Sequence, residues 1–456
     1  EQSGVHINIE SHTCDRNVVN DFTWTNQSYI EKTMKENYRS HSIFNQYIGT
    51  YSGVTRLYPR RKWLIEPKEI TVDLFDPKFR PWFVNTEAPP KDIVFLVDYS
   101  GSTKGPTMHL TRITLLYILS TLSPNDYISA VWFSHSFHSL LSCNHTSFIP
   151  ATTRNKKIFY EKLMELEEKD QAVLGPPLNH SIEILRDATQ NVLFGDSRSG
   201  SHKLIILMTD GIDEWPTSVI QEALVNSNGE KVRVYGLAMG FGTGHLPLLD
   251  LLACQTSATS AIVDSISDVK SQSRSYLDHL SRIHASNLYD ISIEKRPISW
   301  SRLYMDTQGL GPVFTLSSPI VHKKKNDDID DIDQFSMGGV AAIDVHIKEI
   351  TQHLPHRDDI KSFIVDNNGI VLYHKDHILP ETEVHSIRRS ACYDPSHHKQ
   401  RVGGSRVQYG HSDERVYRLV GLIDSIPTID LYEVEGNSTL VQRLRKAIIM
   451  EKCDGK

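Results

Sequence analysis

Between residues 91 and 283 the chain alternates short apolar runs with longer stretches of helical periodicity, and this alternation constrains its fold most. The apolar runs have strand length and few polar residues, as expected for strands buried on both faces. Strands are expected at 93–98, 127–133, 203–209 and 232–239, and helices at 107–122, 154–168, 177–193, 216–225, 245–253 and 265–283. The pattern predicts an α/β fold, with a doubly wound, mostly parallel sheet and helices on both sides.

The residues that flank this region show a different pattern of predicted helices and strands. A helical stretch is expected around 28–45, strands at 303–306, 312–320 and 341–345, and a helix at 347–353. Residues 362–365 and 370–373 flank Asn367-Asn368-Gly369, which is typical of a β-hairpin. Strands, a helix and a hairpin together predict a separate α+β domain. The 456 residues, 39% of them hydrophobic, are enough for about two to four domains.

Composition and motifs exclude several classes of function. The net charge is −7, from 49 Lys and Arg against 56 Asp and Glu. The chain therefore lacks the excess of basic residues that is typical of nucleic-acid-binding proteins. No apolar run reaches the roughly 18–20 residues that span a bilayer. The sequence contains no G-x-S-x-G, H-E-x-x-H or P-loop motif, so we predict that the protein is not an enzyme. No signal peptide begins at Glu1, which indicates a processed terminus or a fragment.

The cysteines and the glycosylation sequons bear on whether the protein is secreted. The five cysteines form no C-x-x-C pair, so neither a zinc ribbon nor a thioredoxin-like site is expected. Because their number is odd, one thiol is free or bonded outside this chain. Four N-x-S/T sequons favour secretion. Asn179 falls in a predicted helix, so glycosylation is expected at the other three, Asn26, Asn144 and Asn437.

Oxygen-bearing side chains follow two of the predicted buried strands. Asp98, Ser100 and Ser102 come directly after the first strand, and Asp210 follows the strand at 203–209. In a doubly wound sheet ligands lie at the carboxyl ends of the strands, so these side chains are expected in one crevice. Two carboxylates and two hydroxyls, without Cys or His, suit a hard divalent cation such as Mg²⁺ or Ca²⁺. The alternative is that the serines only cap the next helix.

This combination, D-x-S-x-S after one strand and T-D-G after another, resembles the metal-ion-dependent adhesion site of von Willebrand factor type A domains. The resemblance implies a Rossmann-like fold and a cation with an open position for an acidic group of a partner. That family completes its site with a threonine from an intervening loop. The matching stretch here is 169–173, with Ala172 near the threonine position. We therefore expect reduced cation affinity, with Asp170 or a water molecule substituting for the threonine.

Motifs around this region resemble the alpha-2/delta auxiliary subunits of voltage-gated calcium channels. They are Asp73-Leu74-Phe75-Asp76, Arg80-Pro81-Trp82-Phe83 and Pro90-Lys91-Asp92, and the stretch 366–374 resembles the hairpin of that family's first Cache-type domain. The resemblance covers nearly the whole chain. It implies a von Willebrand type A domain at 91–283, inserted into a Cache-like domain made of 1–90 and 284–456.

The resemblance implies a non-enzymatic role on the extracellular side of the plasma membrane. The chain would bind the pore-forming channel subunit through the cation site and regulate surface expression and gating, with any anchor beyond Lys456. Two alternatives stay open: a metal-dependent extracellular adhesion protein, and a Cache-type sensor of small molecules such as amino acids.

Two further sets of residues are implied by the same resemblance. One is a pocket for a free amino acid, in which Arg80 would bind the carboxylate and aspartates would hold the ammonium group. Its residues would be Trp63, Arg80, Trp82, Tyr304, Asp306 and Asp344. The other is Cys254, which would form a disulfide with the delta chain. The remaining cysteines, Cys14, Cys143, Cys392 and Cys453, have no pairing that the sequence fixes.

Overall fold

The computed structural model divides the chain into two compact units, which are described one at a time. The first consists of Glu1–Glu87 and Ala285–Lys456, and the second of Ala88–His284. The structure describes residues 3–8, 15–40, 45–60, 75–140, 148–190, 202–212, 214–225, 231–241, 246–305, 311–324, 334–355, 361–366, 368–376, 429–436 and 438–449.

The strands are numbered in chain order. They are β1 (Gly4–Ile7), β2 (Asn45–Thr50), β3 (Val54–Tyr58), β4 (Lys91–Asp98), β5 (Tyr127–Phe133), β6 (Phe137–Ser139), β7 (Ile149–Pro150), β8 (His202–Thr209), β9 (Val232–Met239), β10 (Ser260–Val263), β11 (Ser299–Trp300), β12 (Tyr304–Met305), β13 (Pro312–Lys324), β14 (Gln334–His346), β15 (Phe363–Val365) and β16 (Val371–His374).

The helices are numbered in the same way. They are α1 (Arg16–Thr25), α2 (Ser28–Ser40), α3 (Pro81–Glu87), α4 (Pro106–Ser120), α5 (Thr153–Met164), α6 (Gly175–Gln190), α7 (Thr217–Val225), α8 (Pro247–Gln255), α9 (Ile266–Gln272), α10 (Ser275–Tyr289), α11 (Ile347–Thr351), α12 (Leu431–Glu435) and α13 (Thr439–Ile449). Short 3₁₀ turns lie at Pro77–Phe79, Gly101–Thr103 and Ile293–Lys295.

The second unit is built on a mostly parallel sheet, as the sequence predicts. Its strand order is β10-β9-β8-β4-β5, all parallel, and β6 and β7 pair with β5 in the antiparallel direction. The chain passes from β4 to β5 on one side and then returns to β8 on the other side of β4. The order therefore reverses between β4 and β8, which is where an open α/β sheet forms its ligand crevice.

The central strand β4 forms the middle of the apolar core. All eight of its residues are buried, because neighbouring strands and packed helices cover both faces. The charged residues at its start are neutralised locally. The Lys91 ammonium contacts the Asp126 carboxylate at 3.2 Å, and Lys203 of β8 pairs with Asp92. Burial of these lysines is tolerated because each has a carboxylate partner.

The single helix predicted over 265–283 is wrong, because two helices, α9 and α10, occupy this stretch. The break falls at Ser273 and Arg274, both of which are buried. The Ser271 and Ser273 hydroxyls donate to the backbone carbonyls of Asp268 and Lys270, each at 3.0 Å. Apolar periodicity does not register such a local interruption, so the sequence predicted one continuous helix.

The first unit has an antiparallel sheet that combines distant parts of the chain. Its strand order is β1-β3-β2-β14-β13-β11, and β12 also pairs with β13. In the pairing of β2 with β14, Ile48 lies opposite Ala341. Gly339 permits this pairing, since a Cβ there would collide with the Gly49 carbonyl group. Sequence analysis predicted no strand before residue 90, because polar residues such as Asn45 and Gln46 are buried in β2.

A hairpin and two helices complete the described part of the first unit. Strands β15 and β16 pair in the antiparallel direction, which confirms the predicted hairpin. The Asp366 carboxylate accepts the Asn368 and Ile370 backbone amides at 2.8 Å in its turn. Helices α12 and α13 follow, and Glu435 of α12 bonds to His374 of β16 at 2.6 Å.

The predicted strand at 341–345 is part of the longer β14, and the helix after it, α11, is shorter than predicted.

Candidate functional site

The candidate cation site lies where β4 and β8 end. Asp98 is the last residue of β4, and the chain then turns through Ser100 and a 3₁₀ turn at Gly101–Thr103 before α4 begins. Asp210 directly follows β8. Because β4 and β8 are parallel neighbours, both strands deliver their carboxyl ends to the same crevice.

Hydrogen bonds join the predicted residues into one network. The Ser100 and Ser102 hydroxyl oxygens lie 2.9 Å apart, and the Ser102 hydroxyl donates to an Asp210 carboxylate oxygen at 3.1 Å. One oxygen of Asp98 accepts the Ser100 backbone amide at 2.9 Å. The structure thus brings Asp98, Ser100, Ser102 and Asp210 together across 112 residues of sequence.

A fifth side chain supports this network. The Thr209 hydroxyl donates to the second carboxylate oxygen of Asp98 at 2.7 Å and is itself buried. Sequence analysis did not assign Thr209 a role, although it stands in the T-D-G motif. The sequence feature that could have identified Thr209 is its position at the end of a strand adjacent to β4. That position places its hydroxyl beside Asp98.

Burial makes Asp98 sensitive to a nearby positive charge. Only 1% of Asp98 is exposed, and this burial raises the pKa of its carboxyl above the ordinary value. Hydrogen bonds from Ser100 and Thr209 oppose the rise in pKa, and the negative charge of Asp210 adds to it. A cation bound between the two carboxylates would offset both the desolvation and their mutual repulsion.

The loop between α5 and α6 lies against the turn that carries the serines. The Gly101 amide donates to the Asp170 carbonyl oxygen at 2.7 Å, and the Lys169 amide donates to the Tyr99 carbonyl oxygen at 3.0 Å. The matching stretch 169–173 is therefore adjacent to the site, as the resemblance implies. Ala172 is partly buried and packs against the apolar core of this unit.

The donor chemistry of the site suits a hard divalent cation. Two carboxylates and two hydroxyls are oxygen donors, and together they carry about the charge needed to balance a doubly charged ion. Across the described residues, no group of three or more His, Cys, Asp or Glu side chains is placed to hold a metal ion. A site of the zinc type, with histidine or thiolate ligands, therefore has no candidate in these parts of the chain.

The candidate amino-acid pocket centres on a buried carboxylate in the first unit. Asp344 of β14 is only 1% exposed. Its oxygens accept the Tyr47 hydroxyl at 2.7 Å, the Thr315 hydroxyl at 2.7 Å and the Asn45 amide at 3.1 Å. The Tyr304 hydroxyl contacts Thr315 at 2.6 Å and lies 3.5 Å from Asp344. The structure therefore brings Tyr304 and Asp344 together.

Of the other predicted pocket residues, two lie within the described chain and two do not. Trp82 is buried and stacks on Tyr47, the same side chain that bonds to Asp344, with the ring centroids 5.8 Å apart. The guanidinium of Arg80 lies 4.4 Å from the centre of the Phe75 ring, a cation–π contact. Trp63 and Asp306 lie outside the described residues. Tyr47 was missed by sequence analysis, because its strand could not be predicted.

The residues predicted to be modified are only partly within the described chain. Cys254, near the end of α8, is exposed and forms no disulfide with any residue that the structure describes. Asn26 is exposed, and its side-chain oxygen accepts the Arg56 guanidinium at 2.6 Å. Lying outside the described residues are Asn144, Asn437, Cys14, Cys143, Cys392 and Cys453. Within the described segments, no helix has the length and apolarity required to cross a membrane.

Comparison with known proteins identifies relatives of this chain. Residues 92–274 match the von Willebrand factor type A domain family. The chain is 29% identical over 369 residues to voltage-dependent calcium channel subunit alpha-2/delta-2 of Homo sapiens, covering 80% of this chain and 30% of that protein. It is 28% identical over 403 residues to subunit alpha-2/delta-3 of Rattus norvegicus, covering 86% and 35%. The chain thus spans about a third of the length of these relatives.

Among solved structures, a von Willebrand factor type A protein from Catenulispora acidiphila matches with a TM-score of 0.35 and 15% identity, covering 60% of each chain. The family match confirms the α/β fold class predicted for the second unit, and the curated relatives confirm the predicted resemblance. The Cache-like nature of the first unit stays a prediction.

Proposed function

We propose that this chain, a relative of alpha-2/delta subunits of voltage-dependent calcium channels, is part of an extracellular auxiliary subunit of such a channel. It would bind the pore-forming subunit and regulate its surface expression and gating. Sequence similarity over about four fifths of the chain supports this role. The observation that carries the mechanism is the oxygen network at the β4–β8 crevice.

The cation would be held by Asp98, Ser100, Ser102 and Asp210, as either Ca²⁺ or Mg²⁺. The hydrogen bonds that now link these oxygens, such as that from Ser102 to Asp210, would be replaced by bonds to the ion. A hard cation held by four protein oxygens keeps free coordination positions. An oxygen group of the pore-forming subunit would occupy one of them, so that the cation bridges the two proteins.

Co-precipitation with a calcium-channel pore-forming subunit tests this proposal. Wild-type protein should co-precipitate with the pore subunit in the presence of Ca²⁺ or Mg²⁺, and chelation should reduce the recovery. Asp98→Asn should reduce it similarly, because the ion loses a buried carboxylate. The matched control is Asp290→Asn, which changes an exposed aspartate elsewhere. Equal recovery of all three proteins, with and without chelator, would contradict a cation-dependent contact.

The same experiment separates the two alternatives. A metal-dependent adhesion protein would require Asp98 for binding to an extracellular partner other than the pore subunit. A Cache-type sensor would bind its small molecule independently of Asp98, since that activity would reside in the first unit. Failure of the pore subunit to bind, with cation binding intact, would favour the adhesion protein.

We also propose that the first unit binds a free amino acid, with Trp63, Arg80, Trp82, Tyr304, Asp306 and Asp344 forming its pocket. The buried Asp344, surrounded by hydroxyl and amide donors, supports a polar site within this unit. A thermal-shift titration with leucine should raise the unfolding temperature of wild-type protein. Arg80→Ala should remove that shift, while Arg302→Ala serves as a charge-matched control. An unchanged shift in the Arg80 variant would rule out the pocket.

The proposed architecture has a von Willebrand type A domain at 91–283 inserted into a Cache-like domain made of 1–90 and 284–456. Exposure of the Cys254 thiol supports a disulfide with a delta chain. Glycosylation is proposed at Asn26, Asn144 and Asn437, and localisation on the extracellular side of the plasma membrane. Mass spectrometry of the secreted protein, before and after enzymatic deglycosylation, would test these modifications.

A further inference from the structure

Three basic residues lie side by side at the amino ends of the central strands, opposite the end that carries the candidate cation site. Lys91 begins β4 and His202 begins β8, and these two residues are paired directly in the sheet. Arg233, the second residue of β9, pairs with Leu204, two residues beyond His202. Because side chains alternate between the two faces along a strand, Lys91, His202 and Arg233 all point to the same face of the sheet.

Helix α10 brings a histidine to this face. Tyr235 is two residues after Arg233 in β9 and therefore shares its face. The Tyr235 hydroxyl oxygen lies 2.7 Å from Nδ1 of His279, and its ring contacts Tyr276 with the centroids 6.1 Å apart. Since His279 and Tyr276 both belong to α10, this helix covers the face to which Arg233 points.

The electrostatic environment of this group is positive. Among the described residues, only Lys91 of the four has a carboxylate partner, Asp126. Burial, and then the positive charges of Arg233 and Lys91, lower the pKa of His202 to about 4. Burial and the charge of Arg233 also lower the pKa of His279. In the part of the chain that the structure describes, no carboxylate opposes these effects on the two histidines.

The guanidinium of Arg233 has a donor without an acceptor. Its Nε is enclosed by the protein and donates no hydrogen bond to any described residue. A buried donor that lacks a partner costs free energy, and more so when the donor is charged. The residue as a whole stays partly exposed, so a small ion can approach it from the solvent. Guanidinium N–H groups bind the oxygens of carboxylate and phosphate in pairs, which makes an oxyanion the natural partner.

We propose that the amino ends of β4, β8 and β9 bind a small oxyanion, a phosphate or a carboxylate, with Arg233 as its main ligand and His202 and His279 as further donors. The ion would balance the positive charges and supply the acceptor that the guanidinium lacks. The enclosed position of the Arg233 Nε favours a small free ion over a lipid head group. The site lies at the opposite end of the strands from the cation crevice, so this inference does not depend on the proposed function.

Thermal unfolding of the full chain in sodium phosphate, compared with sodium chloride of equal ionic strength, tests the inference. We expect phosphate to raise the unfolding temperature of the wild type in a saturable way, since a ligand that binds the folded state stabilises it. Arg233→Gln should lose the saturable part of this shift. The variant should still fold, because its change leaves no described carboxylate unpaired. Arg154→Gln is the matched control, which removes the same charge from an exposed position of the same unit.

Isothermal titration with inorganic phosphate measures the contribution of the paired donors. Arg233→Lys keeps the positive charge but lacks the planar fork of donors. We expect it to bind phosphate about tenfold more weakly than the wild type, as for the loss of a hydrogen bond to a charged group. Arg233→Gln should give no binding heat, whereas Arg154→Gln should bind as the wild type does.

Three results would overturn the inference. Equal thermal shifts in the wild type and both glutamine variants would mean that phosphate acts only as a generally stabilising salt. Equal loss of phosphate binding in Arg154→Gln and Arg233→Gln would mean that only the overall charge matters. Binding to vesicles that contain phosphatidic acid, without any response to free phosphate, would mean that the ligand is a lipid head group.

The variant Asp98→Asn separates this site from the cation crevice. It should retain the whole phosphate response, because Asp98 lies at the carboxyl end of β4 and the anion would bind at the amino end. Loss of the phosphate response in Asp98→Asn, in protein that remains folded, would contradict a separate site.

Discussion

One of the buried carboxylate oxygens of Asp98 accepts a hydrogen bond from a neighbouring hydroxyl. That hydroxyl belongs to Thr209 and donates at 2.7 Å. Thr209→Val keeps the shape of the side chain but removes this donor. A buried carboxylate that loses a hydrogen bond costs about 1–3 kcal/mol. We therefore expect the free energy of unfolding in chelator, measured by urea denaturation, to fall by that amount.

Thr209→Ser is the matched control for this prediction, because it retains the hydroxyl. The serine variant should remain close to the wild type in stability and in cation affinity. Equal destabilisation by valine and serine would show that the lost methyl group matters, and would contradict a supporting role for the hydroxyl.

Individual site residues could be predicted where they follow a strand directly. Asp98, Ser100, Ser102 and Asp210 are fixed by the strand ends, so motif and strand order together were sufficient to place them. The contact of Asp170 with Gly101 could not be derived, because it depends on the path of an irregular loop. Likewise, the partners of Asp344 include Tyr47, almost 300 residues away in sequence, in a strand without an apolar signal.

At the scale of elements, the pairing of β2 with β14 depends on a glycine. A Cβ on Gly339 would collide with the Gly49 carbonyl oxygen and lie 3.1 Å from the carbonyl carbon. Backbone cannot yield as a flexible side chain does, so the two strands would have to separate. We expect Gly339→Ala to lower the free energy of unfolding of the first unit by about 1–3 kcal/mol or more, as overpacking does.

Gly175→Ala provides the comparison for this variant. Gly175 begins α6, and no atom lies within 4 Å of where its Cβ would be. Alanine there should be neutral or slightly stabilising, because it restricts the unfolded chain without a clash. Denaturation curves in which both alanine variants behave alike would contradict the close strand approach.

A strand could be predicted from the sequence where apolar neighbours surround it on both faces. Strands β4, β5, β8 and β9 are buried on both faces, so their residues form continuous apolar runs. Strand β2 is also buried, but it carries Asn45 and Gln46, whose side chains bond to neighbouring groups. Its sequence therefore lacks the apolar signal. The break between α9 and α10 interrupts a stretch of continuous helical periodicity, so a periodicity argument does not register it.

At the scale of the whole molecule, partly buried histidines make the second unit sensitive to acid. Burial, reinforced by the charges of Arg233 and Lys91, lowers the pKa of His202 to about 4. Burial also lowers the pKa of His279 and His284. In the unfolded chain these residues bind protons near the ordinary pKa of about 6.5. Between these values the unfolded state binds more protons, so the free energy of unfolding decreases as the pH falls through this window.

Urea denaturation between pH 7.5 and pH 4.5 measures this effect. We expect the loss of stability on acidification to be smaller in His202→Gln than in the wild type, since glutamine cannot take up the proton. His135→Gln, at an exposed position of the same unit, should retain the full pH dependence. Identical pH profiles for the wild type and the His202 variant would contradict this assignment.

The fold class of the second unit was predictable because one contiguous stretch contains all of its sheet. The sheet of the first unit was not, because its strands come from segments on either side of that stretch. No local pattern at 45–50 indicates that its partner strand is at 334–346.

This separation in sequence has a consequence for the order of events during synthesis. The ribosome adds about 5–20 residues per second, so β2 emerges roughly 15–60 seconds before the strand it pairs with. In that interval the complete second unit emerges and can fold from its own contiguous residues. The nascent β2–β3 segment then has unpaired backbone groups along one edge. We expect it to be a binding site for folding chaperones until β14 arrives.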